Sequence, residues 1–285
     1  MSSVPAGFEE WIGRTRESED VVTERLVASF RAIFDPYLAP QTDDVAPLGI
    51  HWCLSPEIAA MAELGQDGHP AHQRFLPPVP LPRRMWAGGT LEIYDAIRVG
   101  DRVRRVSSIS EITRKDGRTG QLWFVSISHD HSTPRGLAVR ERQNLVFREA
   151  AKPEPAGNVT PSQAAMPKAC GETWTLTPTA PLLFRYSAIT FNGHRIHYDH
   201  PYARDAEGYA GLVVHGPMQA TLLMNLAAKV MGSDRLHMDY RGLAPAISGD
   251  SLKICAGIGD QSGQFWTEGV FGQTHMSASA KPNQV

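Results

Sequence analysis

The sequence predicts an α+β protein of two halves, each with an antiparallel sheet curled around a helix. At 285 residues the chain is long enough for two domains, since a domain takes about 100 to 150 residues. Each half shows a helical segment followed by strand segments, and each contains a Gly-Asp turn, in RVGDRVRR and AISGDSLK. A helix wrapped by a curled antiparallel sheet is the hot-dog arrangement. We therefore expect a tandem, or double, hot-dog.

The composition favours a cytoplasmic protein with small-molecule partners. A net charge of −2 with 20% charged residues offers no basic surface for nucleic acid or for an anionic membrane. The chain has no signal-peptide core and no run of about 18 apolar residues. Cys53, Cys170 and Cys255 are odd in number and lack CxxC spacing, so we expect neither a disulfide framework nor a zinc site.

The N-terminal half is assigned to residues 1–150. A helix is expected in EDVVTERLVASFRAIF, and two or three antiparallel strands over 90–132, where β-branched and aromatic residues alternate with polar ones. Turns break this segment at VGD and KDGRTG, and a further strand is expected over 137–149. The apolar residues at helical spacing in the first segment are Val21, Leu26, Phe30 and Ile33.

A linker is expected over 151–172, which is rich in Pro, Ala and small polar residues and has no regular period. The C-terminal half is assigned to residues 173–285, and a strand is predicted in GETWTLTPTAPLLFRYSAIT, residues 171–190. The nearly apolar segment from Met218 to Met231 predicts a helix buried on most sides. Further strands are predicted in 236–260 and 263–280.

His215, Gly216 and Pro217 precede this helix. Proline suits the first helical turn, and glycine lets another group approach the backbone closely. An exposed N–H at a helix start can donate to a carbonyl oxygen that becomes an oxyanion. The alternative is a tight turn into a core helix.

The loop FNGHRIHYDHPYA, residues 191–203, carries His194, His197 and His200 at three-residue intervals. On a helix this spacing would suit a metal, but Gly193 and Pro201 argue against a regular helix, and no metal is expected. A polar surface loop is the simpler alternative.

The segments YSAITFNGHRIHYDHPYA and GLVVHGPMQATLL resemble the MaoC-type, (R)-specific enoyl-thioester hydratases. Their motif, Asp-x-Asn-Pro-(Ile/Leu)-His, precedes a His-Gly turn into the central hot-dog helix. Residue by residue, the motif falls on Asn192, His194, Arg195, Ile196 and His197. PRRMWAGGTLEIYDAIRVGDRV is similar to the dehydratase-like N-terminal domain of a subgroup that includes 3-methylfumaryl-CoA, mesaconyl-C4-CoA and itaconyl-CoA hydratases.

The resemblance implies addition or removal of water across the α,β double bond of an enoyl-CoA, with a short, branched dicarboxylyl group as the expected acyl chain. His197 would take the proton from water, and the Gly216 N–H would receive the thioester oxygen. Asn192 replaces the family's Asp, so it can only position water or the imidazole. The site therefore either works with one base or takes a second titratable group from elsewhere. Asp199 is a nearby candidate for this group and also a candidate substrate contact, although a structural loop carboxylate is the preferred interpretation.

Other residues are candidate substrate contacts. Arg83 and Arg84, in a long Pro-rich loop, could pair with a substrate carboxylate or a CoA phosphate, or could be surface residues. Arg241 is an alternative phosphate partner, together with Lys253 and Arg185, and His215 is a further substrate contact.

Two motifs have no assigned role. His129 and His131 would share one face of a strand, or would belong to a solvated strand end. Gly88 and Gly89 in WAGG indicate a tight turn or close packing.

No metal or redox cofactor is implied, with CoA serving as the carrier of the substrate, and a homodimer is expected. Two other functions stay open. A hot-dog thioesterase would use a carboxylate to direct water to the thioester carbonyl. A non-catalytic acyl-thioester-binding module would have lost its acid, as the Asn192 replacement allows.

Overall fold

One antiparallel sheet of ten strands is the framework of the computed structural model, which describes residues 4–71, 75–117, 120–149, 170–258 and 262–283. The strands of the N-terminal half are β1 (Thr15–Val21), β2 (Arg83–Ile93), β3 (Arg102–Gly117), β4 (Gly120–Thr133) and β5 (Gly136–Arg148). Those of the C-terminal half are β6 (Glu172–Leu176), β7 (Leu236–Gly242), β8 (Leu252–Ile258), β9 (Gly263–Glu268) and β10 (Thr274–Pro282). The helices are α1 (Glu24–Phe34), α2 (Ala180–Ile189) and α3 (Gly216–Met231).

The two halves have the same strand order. It runs β1-β3-β4-β5-β2 in the first half and β6-β8-β9-β10-β7 in the second. The halves join where β2 pairs antiparallel with β7, from Gly88 opposite Arg241 to Glu92 opposite His237. This repeated order confirms the predicted double hot-dog.

Helix α3 forms the core of the C-terminal half, as its apolar sequence predicts. All residues from Met218 to Ala228 are buried, and the helix packs on β7, β8, β9 and β10. It ends at Gly232, whose left-handed conformation (φ 63°) suits a helix C-terminus.

Helix α1 confirms the predicted N-terminal helix with a later start. The Thr23 hydroxyl accepts a hydrogen bond from the Leu26 N–H at 3.1 Å and caps the helix. The prediction was wrong for Val21, which lies at the end of β1. The alternation of β1 is between exposed and half-buried residues rather than between polar and apolar ones, so the sequence showed no strand period there. Helix α1 packs on α2 of the other half.

The prediction of one strand for GETWTLTPTAPLLFRYSAIT was wrong beyond Leu176. The strand ends there, and α2 begins at Ala180 with Pro181 in its first turn. The Thr179 hydroxyl accepts a hydrogen bond from the Leu182 N–H, which caps the helix. A capped, proline-initiated helix therefore replaces the second part of the expected strand.

The assignment of Arg83 and Arg84 to a loop was also wrong, because both lie at the start of β2. A β-bulge follows between Trp86 and Gly88 and changes the direction of the side chains before it. A side chain at Gly88 would collide with the Tyr240 carbonyl, and one at Gly89 with the Arg142 carbonyl. Close packing of β2 between its neighbours therefore explains WAGG.

Most of the predicted linker, residues 151–169, lies outside the described residues, and β6 begins at Glu172. The three cysteines are free thiols, as expected. Within the described ranges, no helix combines the length and the apolar character that a bilayer crossing needs.

Candidate active site

A cavity of about 700 Å³ lies where the two halves meet. The C-terminal half contributes the loop after α2 and the first turn of α3, and the N-terminal half contributes β2, β4, β5 and the loop 64–70. Residues from both halves of the sheet therefore face the same space.

The His197 ring is held in one orientation and one tautomer. Its Nδ1 lies 2.7 Å from the Val213 carbonyl oxygen, which can only accept a hydrogen bond, so Nδ1 carries the proton. The side chain lines the cavity and is 7% exposed. Burial lowers the pKa of His197 to about 4, against the opposing effect of the Val213 bond. At neutral pH, Nε2 of His197 is thus an unprotonated acceptor.

His215 supports His197 from behind. The two rings stack with centroids 3.6 Å apart and planes inclined by 20°, and the Ser187 hydroxyl lies 2.8 Å from Nε2 of His215. His215 is fully buried and is not among the residues that line the cavity. His215 therefore packs behind His197 as a supporting side chain and does not face the cavity, as the predicted substrate contact would.

Gly216 begins α3 at the wall of the cavity. Its N–H belongs to the first helical turn, where the helix itself supplies no acceptor. Pro217 follows in the same turn. A Cβ at Gly216 would lie 2.5 Å from Cε3 of Trp86, so only glycine fits against this indole. Trp86 also stacks on Tyr240, with ring centroids 4.7 Å apart.

Asn192 and His194 also line the cavity. The Asn192 side-chain oxygen accepts a hydrogen bond from the His194 N–H at 2.9 Å, which leaves the NH₂ end of the amide for a ligand. The surface-loop interpretation fails for His194, whose ring contacts that of His197 with centroids 5.4 Å apart. It holds for His200, which is exposed.

Asp199 does not line the cavity. Its carboxylate accepts hydrogen bonds from Nε and Nη2 of Arg195, at 2.9 and 2.7 Å. It also accepts from the Tyr202 N–H at 3.1 Å. These bonds fit the structural role that the sequence favoured and not the predicted substrate contact.

The predicted substrate arginines have different surroundings. Arg83 lines the cavity, but its Nε pairs with Glu207 at 3.2 Å. Arg84 lines it too, and no ion pair or hydrogen bond with another described residue engages its guanidinium. Its pKa is lowered by burial and raised by the charges of Asp67 and Glu57. Arg241 is exposed and lies outside the cavity lining, so it does not join this site.

Asp67 and His69 enter the site from the N-terminal half, which the sequence did not predict. The Asp67 carboxylate lies 2.9 Å from Nδ1 of His69, and the His69 and His194 rings are 4.3 Å apart. The available signal was DGHP, a turn sequence followed by a long Pro-rich stretch of the kind that often forms a binding loop.

Buried polar residues form the N-terminal wall of the cavity. The Glu141 carboxylate accepts hydrogen bonds from Trp52 at 2.9 Å and Gln143 at 3.0 Å. His131 is 2% exposed, and neither ring nitrogen has a partner among the described residues. Burial lowers the pKa of His129 to about 3. The interpretation of His129 and His131 as a solvated strand end was therefore wrong.

A metal ion would need a cluster of donor atoms. In the described part of the chain, one such group occurs, with single donor atoms of Asp67, His69 and His194 within 4.8 Å of one another. Because Asp67 already forms a hydrogen bond with His69, the geometry as it stands is that of a carboxylate orienting an imidazole.

Comparisons with known proteins match the whole chain. A family model described as hydroxyacyl-thioester dehydratase type 2 matches residues 49–248. The mesaconyl-C(4)-CoA hydratase of Chloroflexus aurantiacus is 38% identical over 283 residues, which cover 99% of either chain.

Solved structures support the same fold. HtdX of Mycobacterium tuberculosis has a TM-score of 0.68 at 17% identity, covering 95% of this chain and all of the other. A MaoC-like dehydratase has a TM-score of 0.71 at 13% identity, covering 98% of this chain and all of the other. Together with the family match, these results show that the chain is an enzyme of the hydroxyacyl-thioester dehydratase type 2 family, within the MaoC-like dehydratases.

Proposed function

We propose that this enzyme adds water to, or removes it from, the α,β double bond of a short enoyl-CoA whose acyl group carries a carboxylate. Mesaconyl-C4-CoA, which is the same compound as 3-methylfumaryl-CoA, belongs to this class. The observation that carries the reaction type is the fixed tautomer of His197, whose Nε2 is left to act as a base. The full-length similarity to a mesaconyl-C(4)-CoA hydratase supports the substrate class.

In the proposed mechanism, His197 Nε2 removes a proton from water as the water oxygen bonds to the β-carbon. The electrons of the double bond move to the thioester oxygen, which becomes an enolate. The Gly216 N–H and the positive end of α3 stabilise this charge. Protonation of the α-carbon then restores the thioester. Asn192 holds the water through its NH₂ group.

The preference for a carboxylate is assigned to Arg84. Its guanidinium lines the cavity without a partner among the described residues, and its charge lowers the pKa of both His69 and His194. It therefore lies on the same side of the cavity as residues 191–203, the catalytic loop, which carries His194 and His197. A carboxylate on the β-carbon of the substrate could form a paired, fork-shaped contact there.

The preference for short acyl groups is assigned to Trp86. Its indole packs against Gly216 at the start of α3 and is fixed by stacking on Tyr240. Trp52 contacts it edge-on, with ring centroids 6.0 Å apart. Trp86 and Trp52 both line the cavity and limit the space beyond the thioester.

The test is a spectroscopic assay at the absorbance band of the enoyl thioester. Mesaconyl-C4-CoA should be hydrated with a kcat/KM well above that of crotonyl-CoA, which has the same type of double bond and no carboxylate. Equal kcat/KM values for the two substrates would show that the enzyme does not select for a carboxylate on the acyl group. Release of free CoA thiol in place of hydration would show that the enzyme is a thioesterase.

A further inference from the structure

Hydration needs a proton for the α-carbon as well as a base for water. Asn192 occupies the position of the family's motif carboxylate and has no proton to exchange near neutral pH. Asp199 is bound by Arg195 outside the cavity. The loop that carries His197 therefore supplies a base but no second titratable carboxylate at the cavity.

The loop 64–70 of the N-terminal half is fixed onto this catalytic loop. It is closed by a bridge between Leu64 and Pro70 and by a hydrogen bond from the Gly65 N–H to the His69 carbonyl at 2.7 Å. Arg195 donates from its backbone N–H to the Asp67 carbonyl at 2.9 Å. Its Nη1 donates to the Gln66 carbonyl at 2.8 Å.

The closest approach is between Gly68 and Gly193. Gly68 has a left-handed backbone (φ +86°), and a Cβ on it would collide with the Gly193 carbonyl oxygen. The two loops are thus in backbone contact. Asp67 and His69 flank Gly68 in the sequence. The contact of Gly68 with Gly193 therefore places both side chains at the catalytic loop.

The Asp67 carboxylate orients the His69 ring. One oxygen accepts a hydrogen bond from the His69 N–H at 3.0 Å, and the other lies 2.9 Å from Nδ1. Nε2 of His69 is the nitrogen left for a substrate. The His69 ring contacts His194, which in turn contacts His197, so His69 lies one ring away from the base.

We propose that His69, oriented by Asp67, is the acid that protonates the α-carbon. This rests on the hydration reaction proposed above. The N–H bond at Nε2 of protonated His69 breaks, and a C–H bond forms at the α-carbon as the enolate electrons return to it. The proton that His197 took from water then re-protonates His69 through His194 or solvent. The two halves of the fold thus contribute one proton-transfer group each.

In the unliganded enzyme, burial and the charge of Arg84 hold the pKa of His69 below its ordinary value. The Asp67 hydrogen bond and the charges of Asp67 and Glu57 offset only part of this shift. When a substrate carboxylate pairs with Arg84, it neutralises the nearby charge that disfavours protonated His69. Binding of the proposed substrate would therefore favour the protonated form of His69.

The decisive variant is His69→Gln, which keeps a polar side chain of similar size but cannot transfer a proton. We expect kcat for hydration of mesaconyl-C4-CoA to fall by about 10² to 10⁴-fold, with the same thermal unfolding temperature as the unchanged enzyme. His200→Gln, which changes an exposed histidine of the loop that carries His197, should retain full activity. Wild-type kcat in folded His69→Gln would overturn the inference.

A rescue experiment separates proton transfer from a structural role. Asn192→Asp restores a carboxylate at the family's motif position. In the double variant Asn192→Asp, His69→Gln, this carboxylate should raise kcat at least tenfold above the kcat of His69→Gln alone. If His69 only supports the loop, Asn192→Asp should give no recovery, and that result would contradict the assignment. Should His69→Gln not fold, Asp67→Asn tests the same pair and should lower kcat less.

Two further outcomes are distinguishable. If the wild-type enzyme hydrates none of the enoyl-CoAs, the proposed function fails, whereas normal hydration by His69→Gln refutes only the role of His69. Enzyme treated with EDTA should keep its activity. If EDTA abolished the activity and added Zn²⁺ restored it, Asp67, His69 and His194 would be metal ligands, and the assignment of His69 as the proton donor would be wrong.

Discussion

The imidazoles of His197 and His215 stack face to face, with centroids 3.6 Å apart. One ring reaches the cavity, and the other is buried behind it and hydrogen-bonded to Ser187. Together with the Val213 bond, this packing fixes His197 on two sides. A base that is positioned in this way does not need to be reoriented during the reaction.

His197→Ala should lower kcat for hydration by about 10² to 10⁴-fold, because it removes the base but no part of the oxyanion contact. Steady-state kinetics and circular dichroism would check activity and fold. His200→Ala, which changes a histidine of the same loop outside the cavity, is the control. Near-normal turnover by folded His197→Ala would exclude it from the mechanism.

Gly216→Ala should lower activity and destabilise the protein by about 1 to 3 kcal/mol, because its Cβ would overlap Trp86. Trp86→Leu should make room for the new methyl group. In a double-mutant cycle, the two free energies of unfolding should therefore be non-additive, with the double variant less destabilised than the sum. Additivity would show that the two residues do not contact each other.

Arg84→Gln should raise KM for mesaconyl-C4-CoA by about 10- to 100-fold, which corresponds to the loss of a hydrogen bond to a charged group. The KM for crotonyl-CoA should not change, since that substrate has no carboxylate for Arg84 to bind. Arg114→Gln, an exposed arginine of β3, controls for net charge. An equal effect on both substrates would mean that Arg84 binds CoA or supports the fold.

Gly68→Ala should lower both stability and kcat, because it adds a left-handed strain and a collision with the Gly193 carbonyl. Gly100 has nearly the same backbone angle (φ +87°), but a Cβ there would meet nothing within 4 Å. Gly100→Ala thus measures the strain alone. Equal losses in the two variants would show that the contact between the loops contributes nothing.

Stability should fall as the pH decreases from about 6.5 to about 4. Burial lowers the pKa of His51 to about 3, of His129 to about 3 and of His197 to about 4. In this range the unfolded chain binds protons that the folded protein excludes. Each such histidine therefore lowers the free energy of unfolding by about 1.4 kcal/mol for each unit by which the pH falls. Urea unfolding at several pH values would measure the slope. A free energy of unfolding that stays constant across this range would contradict the neutral state of these histidines.

Local sequence patterns predicted the elements that bury an apolar face or alternate clearly. The apolar run in α3 and the alternation in β4 and β5 are of this kind. Strand β1 was missed because its exposed edge gives no apolar period. Helix α2 was missed because β-branched and aromatic residues before Thr179 suggested that the strand continued.

His197, Asn192 and Gly216 lie within one short stretch of the chain, so the sequence could group them into one site. Arg84 and His131 were named as candidates and His69 was not, but nothing in the sequence placed any of the three beside His197. The pairing of β2 with β7 and the contact between the loops bring them there. No periodicity or spacing encodes such long-range contacts.

The two longest helices pack differently, and this difference decides which side chains are left to line the cavity. Helix α3 fills the concave side of its own sheet, whereas α1 packs on α2, and side chains of β4 and β5 face the cavity instead. The C-terminal half thus supplies a largely buried helix whose first turn faces the cavity, and strands of the N-terminal half supply much of the opposite wall.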